Sequence, residues 1–156
     1  MRRTIGLLFV MVVLAAGVLV AAPAAQAAQA ADSVYVYRNQ GTGQCLLDSN
    51  IRGLVADTCY GSDDQRWVVH PWGDGTVRLG NVGTGRCIND SFSIGSISSE
   101  ACNSSENQSW WVVYWADKTR RFQNQATGHC LDQTLDGGLR TWECNSGKNQ
   151  SWYNHM

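Results

Sequence analysis

The chain repeats itself three times, and this constrains its fold more than anything else in its 156 residues. The segments Asn39-Gln-Gly-Thr-Gly-Gln-Cys45, Asn81-Val-Gly-Thr-Gly-Arg-Cys87 and Asn124-Gln-Ala-Thr-Gly-His-Cys130 share one pattern, at spacings of 42 and 43 residues. Each is followed by a second cysteine (Cys59, Cys102, Cys144) and by a Gln-x-Trp triplet: Gln65-Arg-Trp67, Gln108-Ser-Trp110 and Gln150-Ser-Trp152. Self-similarity at a period of this length marks an architecture in which no unit buries its apolar face alone. The units run over about 34–76, 77–118 and 119–156.

Within a unit the local pattern predicts strands. Val34-Tyr-Val-Tyr37, Trp67-Val-Val-His70 and Thr76-Val-Arg-Leu79 are rich in β-branched and aromatic residues, and Gly73-Asp-Gly75 and Ala116-Asp-Lys118 punctuate the runs. No window carries a helical apolar stripe. A period near 42 also fits a propeller blade, but a propeller closes with about four blades or more. Three units therefore predict another all-β closure.

Residues 1–30 read differently. Arg2 and Arg3 precede an uncharged apolar run from Ile5 to Ala22, then Pro23 and two small-residue patterns, Ala25-Gln-Ala27 and Ala28-Gln-Ala30. This predicts a secretory signal peptide cut after Ala27 or Ala30, and an extracellular protein without a membrane segment after cleavage. All six cysteines lie beyond it, which in an exported chain predicts a disulfide framework. The two cysteines of each unit are 14, 15 and 14 residues apart, and the pairing that respects the repeat is Cys45–Cys59, Cys87–Cys102 and Cys130–Cys144. Structural zinc fits poorly, because the cysteines are not close-spaced.

Three Gln-x-Trp triplets in register with three Gly-x-Cys segments resemble the ricin-type lectins, over Val34 to Tyr153. The resemblance implies a β-trefoil of twelve strands, six in a barrel and six in a hairpin cap, with up to one shallow sugar site per unit. It spans 34–156. Trp67, Trp110 and Trp152 read as core anchors, because a residue present in every unit of a closed symmetric fold is what the packing needs. Gly43, Gly85 and Gly128 read as turn residues with positive φ.

Function is sought where the units differ. A sugar site needs an aromatic ring for the C–H face of a pyranose and fixed carboxylate or amide groups for its hydroxyls. Ricin-type sites for galactose or xylose place an Asp two residues after the first cysteine, an aromatic two before the second, and an Asn just before Gln-x-Trp. The third unit matches with Asp132, Trp142 and Asn149, joined by Gln150. Arg140 stands where many family members have Gln. In the first unit the same positions are Leu47, Asp57 and Asp64, with Asp48 and Tyr60 as substitutes; in the second they are Asn89, Glu100 and Asn107, with Asp90 and Phe92 nearby. Asp48, Asp90 and Asn107 are thus secondary candidates. The stretch Thr42 to Gly53 is also similar to small actinobacterial lectins of the actinohivin type, which take mannose-rich glycans. The Val-Tyr pair of those lectins is replaced here by Val55-Ala56, Ile97-Ser98 and Arg140-Thr141, so galactose or xylose is favoured over mannose.

Other functions find little support. Without Arg2 and Arg3 there are ten basic against thirteen acidic residues, which disfavours nucleic acid. His70, His129 and His155 lack triad company, and Asp63-Asp64 reads as a solvated turn, so the chain is read as non-enzymatic. No cofactor or metal motif is present. The rival reading is a trefoil that binds protein, such as a protease inhibitor or a toxin-associated adhesion module, since trefoils host unrelated functions.

Overall fold

The computed structural model describes residues 31–91 and 94–155. The expected leader and Phe92 lie outside the described residues. Each unit contributes four strands. The first has β1 (Ser33–Asn39), β2 (Cys45–Ser49), β3 (Gly53–Asp57) and β4 (Arg66–Pro71). The second has β5 (Val77–Asn81), β6 (Arg86–Asp90), β7 (Ile97–Ala101) and β8 (Trp110–Tyr114), and the third has β9 (Arg120–Asn124), β10 (Cys130–Thr134), β11 (Gly138–Trp142) and β12 (Trp152–His155).

Strands β1, β4, β5, β8, β9 and β12 pair antiparallel around a closed ring, and β2–β3, β6–β7 and β10–β11 form three hairpins beside it. This is the all-β trefoil of three pseudo-symmetric repeats. Closure leaves the barrel strands without a free edge. Inside, Trp67, Trp110 and Trp152 pack with Tyr37, Leu79 and Phe122 from the barrel and with Leu46, Ile88 and Leu131 from the hairpins. All three disulfides, Cys45–Cys59, Cys87–Cys102 and Cys130–Cys144, are formed.

The repeated polar residues hold this frame together. The side-chain oxygen of Asn39 accepts from the backbone N–H of Gly41 and of Thr42, closing the turn that Gly43 completes at φ 73°. Its amide donates to the carbonyl of Asn149 in the third unit at 2.8 Å. Asn81 and Asn124 do the same toward the carbonyls of Asp64 and Asn107. Each Asn therefore fastens one unit to the previous one. Each Gln of Gln-x-Trp ties down the loop after its hairpin: Gln65 accepts from Tyr60 N–H and donates to Thr58 carbonyl, and Gln108 and Gln150 repeat the arrangement. Each indole N–H donates to a hairpin carbonyl, that of Leu46, Ile88 or Leu131. A buried polar group left unpaired costs roughly 1–3 kcal/mol, and these residue types recur because each satisfies a specific partner.

Candidate functional site

The hairpins decide which polar side chains reach solvent. A strand turns successive side chains to opposite faces. In β10, Leu131 and Gln133 share the face turned to the core, and Asp132 lies on the other with Cys130. The extra residue between cysteine and acid in the first two units puts Asp48 and Asp90 on the inward face with Leu46 and Ile88. A one-residue slip exchanges the faces entirely.

Both of those acids are consequently removed from any sugar. Asp48 is fully buried and accepts from Arg86 of the next unit, Nη2 at 2.7 Å and Nε at 2.9 Å, and from the hydroxyls of Thr84 and Ser99. Asp90, also buried, accepts from the hydroxyls of Thr127 and Thr141, and His129 Nδ1 lies 3.6 Å away. Burial pushes the Asp90 carboxyl above its ordinary range, against the lowering effect of these donors. Gln133 closes the ring by donating to Gln44 of the first unit at 2.7 Å. The slot occupied by Gln44, Arg86 and His129 is thus a matched set of partners for Gln133, Asp48 and Asp90. Sequence reasoning missed this seam, although the pairing of Arg with Asp and of Gln with Gln in neighbouring units is a signal that could have found it.

Two further sequence candidates are held by the scaffold. Asn107 donates its amide to the Asp90 carbonyl at 2.6 Å. Gln150 is fully buried, with both ends of its amide engaged by the backbone of Glu143 and Asn145. Its part in the third unit is to fix the loop behind Trp142. In the first unit Leu47 is fully buried, and the Tyr60 hydroxyl is spent on Asp64.

The third unit keeps Asp132, Arg140 and Trp142 together. Asp132 and Arg140 are cross-strand partners on β10 and β11, and Trp142 follows Arg140 by two residues on the same face. Trp142 is 39% exposed, whereas the three Gln-x-Trp indoles are fully buried. The short 3-10 turn Lys148–Gln150 packs against β10 and carries Asn149. The Asn149 carbonyl is taken by Asn39, but its side-chain amide has no hydrogen-bond partner among the described residues. Gly41 leaves room for it, since a Cβ there would come within 2.4 Å of Asn149 Oδ1. Arg140 donates from Nε to Asp132 Oδ1 at 2.9 Å, and its guanidinium carbon stands 4.4 Å above the Trp142 ring. Ring, carboxylate and guanidinium thus share one face of one hairpin, while the Asn149 amide lies on the neighbouring 3-10 turn against Gly41. The equivalents of Trp142 in the other units are Asp57 and Glu100, with no ring to stack on.

A family model described as the ricin-type beta-trefoil lectin domain matches residues 33–152. Among solved structures the chain is similar to the designed three-fold symmetric protein ThreeFoil, at 20% identity and TM-score 0.71, covering 78% of this chain and 96% of that one. It is similar to SeviL, solved bound to asialo-GM1 saccharide, at 14% identity and TM-score 0.67, covering 78% and 95%. It is also similar to an exo-beta-1,3-galactanase from Clostridium thermocellum, at 25% identity and TM-score 0.70, covering 78% of this chain and 29% of the enzyme. No curated protein gave a significant match.

Proposed function

From the premise that this chain belongs to the ricin-type β-trefoil lectin family, we propose that it is a secreted carbohydrate-binding protein whose working site is the third unit. Carbohydrate binding is the family's property, and its domains are not catalysts. The observation that carries the third-unit assignment is the part-exposed Trp142 ring standing on the same hairpin face as the Asp132–Arg140 pair, an arrangement the other two units lack. A ring for the C–H face of a pyranose, next to groups that accept and donate toward vicinal hydroxyls, is the minimum equipment of a sugar site. The cysteine-to-Asp and aromatic-to-cysteine spacings support galactose- or xylose-type sugars over mannose.

A single shallow site gives few contacts and no avidity, so micromolar-to-millimolar dissociation constants are expected. The test is equilibrium binding of the oxidised protein to a panel of immobilised glycans and plant polysaccharides, beside Asp132→Ala and an Asp64→Asn control. Selective binding that Asp132→Ala weakens at least tenfold, while the control retains it, is the expected result. Equal binding by all three proteins would move the site out of the third unit. No binding at millimolar saccharide would favour a protein partner.

A further inference from the structure

The Arg140 guanidinium covers two groups of the third unit, the Asp132 carboxylate and the Trp142 ring. It is planar, it lies over the Trp142 ring at 4.4 Å, and it donates to Asp132 at 2.9 Å. These are the two contacts, one stacked and one polar, that the site otherwise offers a pyranose. The Asp132 side chain is only 4% exposed beneath it, while the Arg140 side chain is 28% exposed. At the hairpin tip a Cβ on Gly137 would lie 2.7 Å from Thr134 Oγ1 and 3.1 Å from Arg140 Nη1, so the missing side chain leaves room for both. A neutral pyranose must break both the ion pair and the stack before it reaches Asp132 or the covered part of the ring.

A saccharide that brings its own anion need not. A guanidinium carries five N–H donors in a flat fork. Asp132 takes the one on Nε, and Nη1 and Nη2 meet no acceptor among the described residues. Asp136 nearby uses its carboxylate on the hairpin turn, where its own backbone N–H, Thr134 and Gly137 hold it below the usual carboxylate range, with a smaller contribution from the Arg140 charge. We propose that the third-unit site selects saccharides bearing a carboxylate, such as uronates, with the open edge of Arg140 receiving that carboxylate in paired hydrogen bonds. Asp132 is then a positioning residue that holds the guanidinium in place, and the exposed part of Trp142 packs against the ring. The inference rests on the third-unit reading and narrows its ligand to a charged form of the same sugar types.

The experiment compares galacturonate oligomers with their methyl esters, which keep the sugar and lose the charge, and sialyllactose with lactose, which separates a sialate source from a uronate one. Charge-assisted hydrogen bonds contribute about 1.5–3 kcal/mol, so the wild type is expected to prefer one free acid over its neutral counterpart by about tenfold or more. Arg140→Gln, which leaves the buried Asp132 without its charge partner and is therefore assayed well below its own melting temperature, is expected to abolish that preference and to strengthen binding of neutral galactosides or xylosides. Arg140→Lys keeps the charge without the fork and should retain only part of the preference. Equal wild-type affinity for acid and ester, or a preference that survives Arg140→Gln, overturns the inference and leaves the third-unit site standing. Binding that survives Asp132→Ala and Trp142→Ala together overturns the third-unit reading itself.

Discussion

Replacing Asp48 with alanine is expected to be among the most damaging single changes outside the core, though no sugar touches that residue. Its carboxylate is fully buried between two units and receives four donor groups from the second: Arg86 Nε and Nη2, and the hydroxyls of Thr84 and Ser99. Removing one partner of a buried ion pair costs roughly 3–5 kcal/mol, because the other charge is left uncompensated. The Arg86 side chain is 33% exposed and can turn to water, which places the loss near the lower end, about 3 kcal/mol. For a domain of this size that is about 10 °C in Tm, readable by calorimetry. Asp48→Leu combined with Arg86→Met should recover much of the loss, since a buried pair replaced by apolar groups of similar volume is often neutral. A double variant as unstable as the single one would contradict this account of the seam.

The symmetry-related Asp90 should respond in the opposite sense. Among the described residues no arginine faces it, His129 being the basic neighbour, and burial raises its carboxyl above the ordinary aspartate value. An acid whose folded value is raised binds its proton more tightly in the folded state, so its contribution falls as pH rises from the ordinary value through the raised one. Asp90→Asn removes that penalty and keeps the shape. Its stability relative to wild type is expected to be most favourable near neutral pH and to diminish as pH falls toward the ordinary aspartate range. The difference between the two proteins isolates this group from Asp74 and Asp117, whose carboxyls are lowered first by hydrogen bonds from Thr76 and Thr119 and act in the reverse direction.

The second large effect separates two tryptophans ten residues apart. Trp152 is fully buried in the central cluster, with its indole N–H on the Leu131 carbonyl at 3.2 Å. Trp152→Ala should cost about 3–5 kcal/mol through lost burial and the cavity left behind. Trp142 is 39% exposed and packs against the Arg140 guanidinium. Trp142→Ala should cost less than about 1 kcal/mol, the value of an exposed cation–π contact, and abolish saccharide binding. Thermal melts and binding isotherms on the same samples read both quantities. A strongly destabilised Trp142→Ala would return that ring to the scaffold.

The sequence made the trefoil legible because seven positions recur in all three units, and because Gln-x-Trp forms a closed structural circuit of buried indole, hairpin carbonyl and loop amide. It pointed to Asp132, Trp142 and Asn149 as candidates for the same reason, since their spacings are fixed relative to repeated landmarks, and the hairpin register brings Asp132 and Trp142 to one face. Two things were not legible. Asp48 and Asp90 looked like displaced copies of Asp132, but one added residue after the cysteine turns a side chain to the opposite face of its strand, from the face covered by Arg140 to the inter-unit seam. Arg140 looked like a substitution that alters sugar preference. Its position over Trp142 depends on the path of a long side chain across the hairpin, which spacing alone does not encode.

The central claim, that the third unit holds the saccharide site, is tested most directly by titrating the isotope-labelled protein with the tightest saccharide from the panel and following its amide and indole N–H resonances. The account expects the Trp142 indole and the Asn149 side-chain amide to move first and furthest, with the buried indoles of Trp67, Trp110 and Trp152 unmoved. Shifts centred instead on Tyr60 in the first unit, or around Asn89 and Glu100 in the second, with the Trp142 indole unchanged at saturation, would contradict it.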